Sequence, residues 1–272
     1  MTAQPLSPDQ LPEGWTSGAA EYDTWFEPIT SQFAVDAAAL LGIGAGDRVL
    51  DVAAGTGAFT LAAAAAGATV LATDFAQGMV DLLSAKLAAG GVDATAERMD
   101  GQALELDDDR FDAAGSLFGL MFFPDMLAGV REMARVVRPG GRVLVGVWHR
   151  SGFTLPITVM RALRTAVPGM APPQQEFTPY RLADPQAMSA LLTAGGLADV
   201  RVEVVTHVAE IPDPVGMFLA APEWSRPLRA SFDLLTDEQR ERAALAFKDL
   251  ITVGGDPVGR LQGSAVLGIG TV

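Results

Sequence analysis

Short apolar runs alternate along this chain with longer stretches in which apolar positions recur every three or four residues. The runs lie at 48–52, 69–73, 94–99, 111–117 and 142–148. Between them, 58–66, 77–89 and 126–137 carry helical spacing. The first of these stretches is rich in alanine, which lets a helix pack close to a sheet. Pro139-Gly140-Gly141 is expected to end the last helix before the fifth strand begins. Strands alternating with helices at this spacing predict βαβ units around a parallel sheet. Upstream, residues 1–14 read as a loose tail, and 29–41 as a helix.

Past Trp148 the pattern weakens. A helix is expected over 155–166, a loop over 168–173, and a helix over 184–194 that opens on Asp184-Pro185 and ends at Gly195-Gly196. Residues 200–208 alternate like a strand, helices fill 212–251, and 265–272 fits a last strand. No repeat and no clean linker interrupts this order. The expectation is one domain over 1–272, with an N-terminal helical cover (1–45), a core (46–150), and a substrate region with the remaining strands (151–272).

Composition narrows the function. The chain has 272 residues, 49% of them hydrophobic and 19% charged, enough for a sizeable core. Lys+Arg total 19 against Asp+Glu 33, a net charge of −14, which argues against binding nucleic acid or anionic lipid through phosphates. Cysteine is absent and only His149 and His207 supply imidazole, so thiolate chemistry and multi-histidine metal sites are excluded and no metal is expected. The polar, proline-containing start is not a secretory signal, and the longest apolar stretch, 113–124, is too short to span a bilayer. A cytoplasmic protein is expected.

The sharpest local signal is VLDVAAGTG at 49–57, a strand running into a glycine turn and then a helix. Glycines let a ligand approach the backbone, and the helix start offers free N–H groups. A dinucleotide fingerprint begun at Gly55 needs glycine at position 60, where Thr60 stands, and Asp51 is foreign to it; NAD is disfavoured. A ligand with a ribose and an amino-acid tail suits the turn better. Asp74 ends the second strand, where a carboxylate can accept from both ribose hydroxyls; the competing role is a helix N-cap. Asp100-Gly101 follows the third strand, where Asp100 could accept from an adenine amino group or serve a plain turn.

VLDVAAGTG, ATDFAQGMV, MDGQALELDDDRFDAAGSLFGLMFFPD and EMARVVRPGGRVLVGVW, in this order, resemble the class I S-adenosylmethionine-dependent methyltransferases, in particular the ubiquinone/menaquinone C-methyltransferase-like group. The likeness covers about 45–150, and EYDTWFEPIT near the N-terminus resembles the approach helix of that group. It implies a Rossmann-like α/β fold: a seven-stranded sheet with helices on both faces, the last strand antiparallel, and a helical cover. It implies S-adenosylmethionine as cofactor and S-adenosylhomocysteine as product. Asp51, Ala53, Ala54, Gly55, Thr56 and Gly57 would line the methionine portion. Asp74 would hold the ribose, with Phe75 and Met79 beside the adenine and Asp100, Gly101 and Gln102 at its edge. Leu117 would offer its backbone to the methionine amino group, with Phe118 adjacent. The chain departs from the quinone enzymes where Met121-Phe122 replaces a polar Arg-Asn pair after the fourth strand.

Such a cofactor implies methyl transfer by in-line displacement, which orientation and desolvation accelerate. O- or C-methylation can also call on a base. His149, just past the fifth strand, is the candidate; the competing reading is a loop histidine. Tyr22 could bond the cofactor or the acceptor, or simply pack. Phe118, Met121, Phe122, Phe123, Phe153, Met160, Met170, Phe177, Met217 and Phe218 suggest an apolar pocket, or else the packing of cover helices. The expected partner is a small, apolar molecule, with no nucleic acid, no membrane, and a homodimer left open. The other function kept open is a cofactor-binding protein of this fold that does not methylate, such as a pericyclase.

Overall fold

The computed structural model describes residues 6–150, 152, 154–171 and 181–272. The chain divides into two compact units: residues 1–150, 178–205 and 265–272 in the first, 151–177 and 206–264 in the second.

The first unit opens with α1 (Pro12–Ser17), α2 (Ala19–Trp25) and α3 (Glu27–Leu41). It continues through β1 (Arg48–Val52), α4 (Ala58–Ala65), β2 (Thr69–Asp74), α5 (Gln77–Gly90), β3 (Ala94–Arg98), β4 (Phe111–Leu117), α6 (Met126–Val136) and β5 (Val137–Trp148). After α7 (Leu155–Ala166) and α8 (Pro185–Ala194) come β6 (Ala198–Ile211), α9 (Pro214–Leu219), α10 (Ala221–Trp224), α11 (Arg226–Phe232), α12 (Asp237–Ile251) and β7 (Gly259–Thr271). The described strands form one seven-stranded sheet in the order β3-β2-β1-β4-β5-β7-β6. Neighbours from β3 to β5 are parallel, and β7 runs antiparallel to β5. The seven-stranded sheet with its antiparallel last strand is therefore as expected.

Side chains on a strand alternate between faces, which assigns the helices. Val49, Val70, Ala113, Leu144 and Ile269 share a core with Phe59 and Ala63 of α4 and Ala34, Ala37 and Leu41 of α3. Gly115 faces the same way: a Cβ there would lie 2.5 Å from the Phe59 ring, so its bare backbone admits α4. Leu83 and Leu87 of α5 pack on Ala72, also on this face. On the opposite face, α6 meets α8, where a Cβ on Gly195 would strike Val130.

Three boundaries differ most from expectation. The Arg138-Pro139-Gly140-Gly141 segment does not separate helix from strand: β5 begins at Val137 and bulges there, with Val137 opposite Phe111 and Arg142 opposite Ala113. Asp112 anchors the bulge by accepting from Arg138 Nε at 2.6 Å and from the Arg48 amide at 2.8 Å. Near the N-terminus, the described part of the expected tail holds a 3₁₀ turn, Pro8–Gln10, and then α1, joined where Trp15 Nε1 donates to the Asp9 carbonyl at 2.8 Å. The last strand starts six residues earlier than the apolar run, at Gly259 instead of Ala265.

The second unit has its own apolar core. Phe218 packs against Phe232 and Phe247, with ring centroids 5.0 and 5.5 Å away. Met217 and Phe218 are fully buried there. These two residues, read from the sequence as pocket candidates, are core; Phe153 and Phe177 lie outside the described residues. No described helix is long and apolar enough to cross a membrane, and no described cluster of histidine and carboxylates could hold a metal.

Candidate active site

Parallel strands bring the loops after β1, β2, β3 and β4 to one edge of the sheet, the edge where open α/β sheets take ligands. The glycine turn after β1 is built on left-handed backbone: φ is +57° at Ala53, +56° at Gly55 and +99° at Gly57. Gly57 also leaves room for α5, because a Cβ there would stand 2.3 Å from Leu83 Cδ1. Two bonds fasten the turn to β2. The Ala54 amide donates to the Thr73 carbonyl at 2.9 Å, and the Gly55 amide donates to Asp74 Oδ2 at 2.9 Å.

Asp74 thereby acts in two directions. Its Oδ1 accepts from the Ala76 amide at 2.9 Å, a turn two residues long ahead of α5, while its Oδ2 holds the glycine turn. The N-cap position of α5 is Ala76, which has no side-chain cap, so Asp74 is not the helix N-cap. Burial pushes its carboxyl up to about 6, against the pull of the Ala76, Gly55 and Phe75 amides. A carboxylate offers about four acceptor positions, so capacity for ribose hydroxyls remains. Asp51 differs. It is 1% exposed in the middle of the sheet, and its Oδ2 accepts from Thr60 Oγ1 at 2.6 Å. Burial pushes it up to about 7, with the Thr60 hydroxyl and amide opposing and Asp74 adding to the rise. Its carboxyl ties β1 to the first turn of α4. Thr60, which stands where a dinucleotide site would have glycine, is its partner.

The buried Thr56 hydroxyl has no hydrogen-bond partner among the described residues. Next to it, the space a Cβ would fill on Gly55 has one near neighbour, the Tyr22 ring at 3.8 Å. Burial, then the charges of Asp74 and Glu27, hold the Tyr22 phenol well above its ordinary range, so it keeps its proton at neutral pH and can donate a hydrogen bond. Phe75 and Met79 gather with Ala76, Ala19, Trp15 and Tyr22 in one apolar cluster.

The β3 loop is tied to the rest by the Met99 amide, which donates to the Asp74 carbonyl at 3.0 Å. A Cβ on Gly101 would meet Phe123 and Val52, each at 2.6 Å. Asp100 is exposed and accepts from the Gln102 amide at 2.9 Å, a turn contact. The Gln102 side chain reaches both Asp100 and, through its Oε1, the Asp125 amide at 2.8 Å.

After β4, Leu117 is half-buried and pairs with Gly146. Phe118 has φ +62°, a conformation that costs a non-glycine residue of order 1–3 kcal/mol unless its surroundings hold it. Here they do: its ring stacks on Trp148 at 3.9 Å and meets Phe33 edge-on at 5.6 Å. Ser116 Oγ accepts from the Leu120 amide at 3.1 Å, closing the turn. A Cβ on Gly119 would lie 2.4 Å from Ala53 Cβ, so the β1 and β4 loops touch directly. His149, half-buried, follows Trp148 at the end of β5. Ala53–Gly57, Asp74, Phe75, Met79, Tyr22 and Phe118 are thus joined by a continuous set of contacts through the turn, the apolar cluster and Gly119. Ser116, Trp148 and Phe33 join them without having been singled out from the sequence; Thr60, marked there only as the residue that breaks a dinucleotide fingerprint, joins as the partner of Asp51.

The donor set fits S-adenosylmethionine: a glycine turn with an unpartnered hydroxyl, a carboxylate at the second strand end, and acidic surroundings suited to a cation. A family model described as a methyltransferase domain matches residues 49–141. An uncharacterized protein of Mycobacterium tuberculosis is 35% identical over 193 residues, covering 69% of each chain. A demethylmenaquinone methyltransferase of a Mycobacterium species is 47% identical over 109 residues, 39% of this chain and 44% of that protein. The crystal structure of the YcgJ protein from Bacillus subtilis superposes with a TM-score of 0.56 at 19% identity, over 88% of this chain and 98% of that one.

Proposed function

Because the chain belongs to the class I S-adenosylmethionine-dependent methyltransferases, we propose that it methylates a small, apolar acceptor at oxygen or carbon. The observation that carries this reading is the Asp74–Gly55 bond with the unpartnered Thr56 hydroxyl beside it. The bound cofactor supplies an electrophilic methyl carbon on a sulfonium. Asp74 would bind the ribose, and Thr56 with the turn amides would hold the methionine end. The apolar acceptor is supported by the residues of the β4 and β5 ends. Phe118, Trp148 and Met121 place buried aromatic and thioether side chains there, and Met121-Phe122 lack the polar pair of the quinone enzymes. That difference turns the proposal away from a quinone.

His149 would take the proton of a hydroxyl acceptor as the new C–O bond forms and the C–S bond breaks, leaving S-adenosylhomocysteine. Such a base contributes about 10²–10⁴-fold. Calorimetry with S-adenosylhomocysteine and NAD tests the cofactor reading: the first should bind and the second should not. Asp74→Ala should weaken binding by about 1.5–3 kcal/mol, the range for a hydrogen bond to a charged group. Unchanged affinity would remove Asp74 from the site. With an acceptor found by methyl-label transfer, His149→Ala should slow turnover while affinity for S-adenosylhomocysteine stays. Undiminished turnover would leave the histidine outside the chemistry.

A further inference from the structure

Lysine occurs only at positions 86 and 248. Lys86 lies on α5 in line with Leu82 and Gly78, each one turn apart on the same face. Its Nζ donates to Asp23 Oδ1 at 2.7 Å and to the Thr56 carbonyl at 3.0 Å, partners 63 and 30 residues away in sequence. This is no local pair of one helix. Asp23 follows Tyr22, and Thr56 follows Gly55, so a single ammonium joins the neighbours of the two residues that meet across the glycine turn. Lys86 and Asp23 are each about a quarter exposed, at 25% and 29%, which weakens solvent screening relative to an open surface pair.

The rest of that α5 face receives α1 and α2. A Cβ on Gly78 would lie 2.3 Å from the Thr16 carbonyl oxygen and 2.9 Å from the Thr16 carbonyl carbon and Cα, so α1 rests directly on α5 backbone. Trp15 meets Tyr22 edge-on at 6.0 Å and Phe122, from the β4 loop, edge-on at 5.1 Å. The N-terminal helices therefore contact the glycine turn, α5 and the β4 loop together.

We propose that Lys86 is a positioning residue for the cofactor site: it clasps α2 to the glycine turn, sets Tyr22 over Gly55, and governs how readily S-adenosylmethionine enters and leaves. The proposal rests on the methyltransferase reading above. The cofactor side of the turn is covered by the chain's own helices, and the clasp must loosen for exchange. Gly78 supplies the fit and Lys86 supplies the electrostatic hold.

The test uses the full chain and S-adenosylhomocysteine, with dissociation followed by stopped flow. Lys86→Met should speed dissociation by about 10-fold or more, the scale of one hydrogen bond to a charged group, with the partly exposed ion pair adding little. Lys86→Arg should restore a slow rate. Wild-type dissociation should quicken with salt, and the Lys86→Met rate should not, a difference that a purely structural residue would not produce. Should Lys86→Met fail to fold, Gly78→Ala serves. Its methyl would meet the Thr16 backbone, displace α1 from α5 and speed dissociation as well. Dissociation rates equal to wild type in the variants overturn the clasp alone. A wild-type chain that binds no S-adenosylhomocysteine overturns the methyltransferase reading, and the clasp with it.

Discussion

Asp51 has Ala72 on one side and Gly115 on the other in a parallel sheet, with the Thr60 hydroxyl against its carboxyl. A carboxylate buried there loses hydration, and one hydroxyl and one amide do not replace it. Asp51 rises to about 7 and Asp74 to about 6, both from an ordinary 3.8. Upward shifts mean that the folded chain binds these protons more tightly than the unfolded chain. Their contribution to stability is complete below the ordinary value and is lost as pH rises through about 6 and 7. Thr60→Val should sharpen the effect. It removes a donor to the charged form, so the loss should be about 1.5–3 kcal/mol near pH 8 and smaller near pH 5, where Asp51 is protonated. Urea unfolding at the two pH values measures this; equal losses would mean that Asp51 holds one charge state throughout.

Secondary-structure elements whose pattern is local were legible in the sequence. β4 matches its apolar run at both ends, and α4, α5 and β2 differ from theirs by one residue, because the continuous apolar run of a buried parallel strand and the period-3.6 burial of a helix are written in adjacent side chains. The misses have distant causes. The Pro139-Gly140-Gly141 bulge is held by Asp112 and by the chain end, where the Gly140 amide donates to the Val272 carbonyl at 2.9 Å. No local rule sees either partner. α1 has six residues, too few to form from propensity, and it exists because Trp15 and Thr16 dock on Phe122 and Gly78. The site divides in the same way. Glycine spacing exposed the turn and Asp74, whose geometry follows from chain chemistry. The Lys86 clasp and the Asp51–Thr60 bond join side chains far apart or on different elements; a lone lysine carries no motif, and Thr60 signalled only that a dinucleotide fingerprint was broken.

Across the whole molecule, the two compact units are interleaved in sequence, and two of the boundaries between them, at 205/206 and 264/265, fall inside β6 and β7. A strand continuous through a boundary cannot fray on one side without exposing backbone groups on the other. On the side away from β4, β5 pairs with β7, whose residues Ala265 to Thr271 lie opposite Trp148 to Arg142. A fragment ending at residue 150 would leave β5 as an open edge with Val143, Val145 and Val147 stripped of their cover. We therefore expect the chain to unfold as one cooperative domain. Trp148 reports on the first unit and Trp224 on the second, so single-tryptophan variants retaining one or the other should show coincident thermal midpoints. The candidate cofactor residues all belong to the first unit, which extends the test. S-adenosylhomocysteine at about 100 times its dissociation constant adds about 2.7 kcal/mol to whatever unfolds with the site. If the chain is one domain, that gain should raise the Trp224 midpoint as much as the Trp148 midpoint. A Trp224 transition that stays fixed while the Trp148 transition climbs would mean two independent domains.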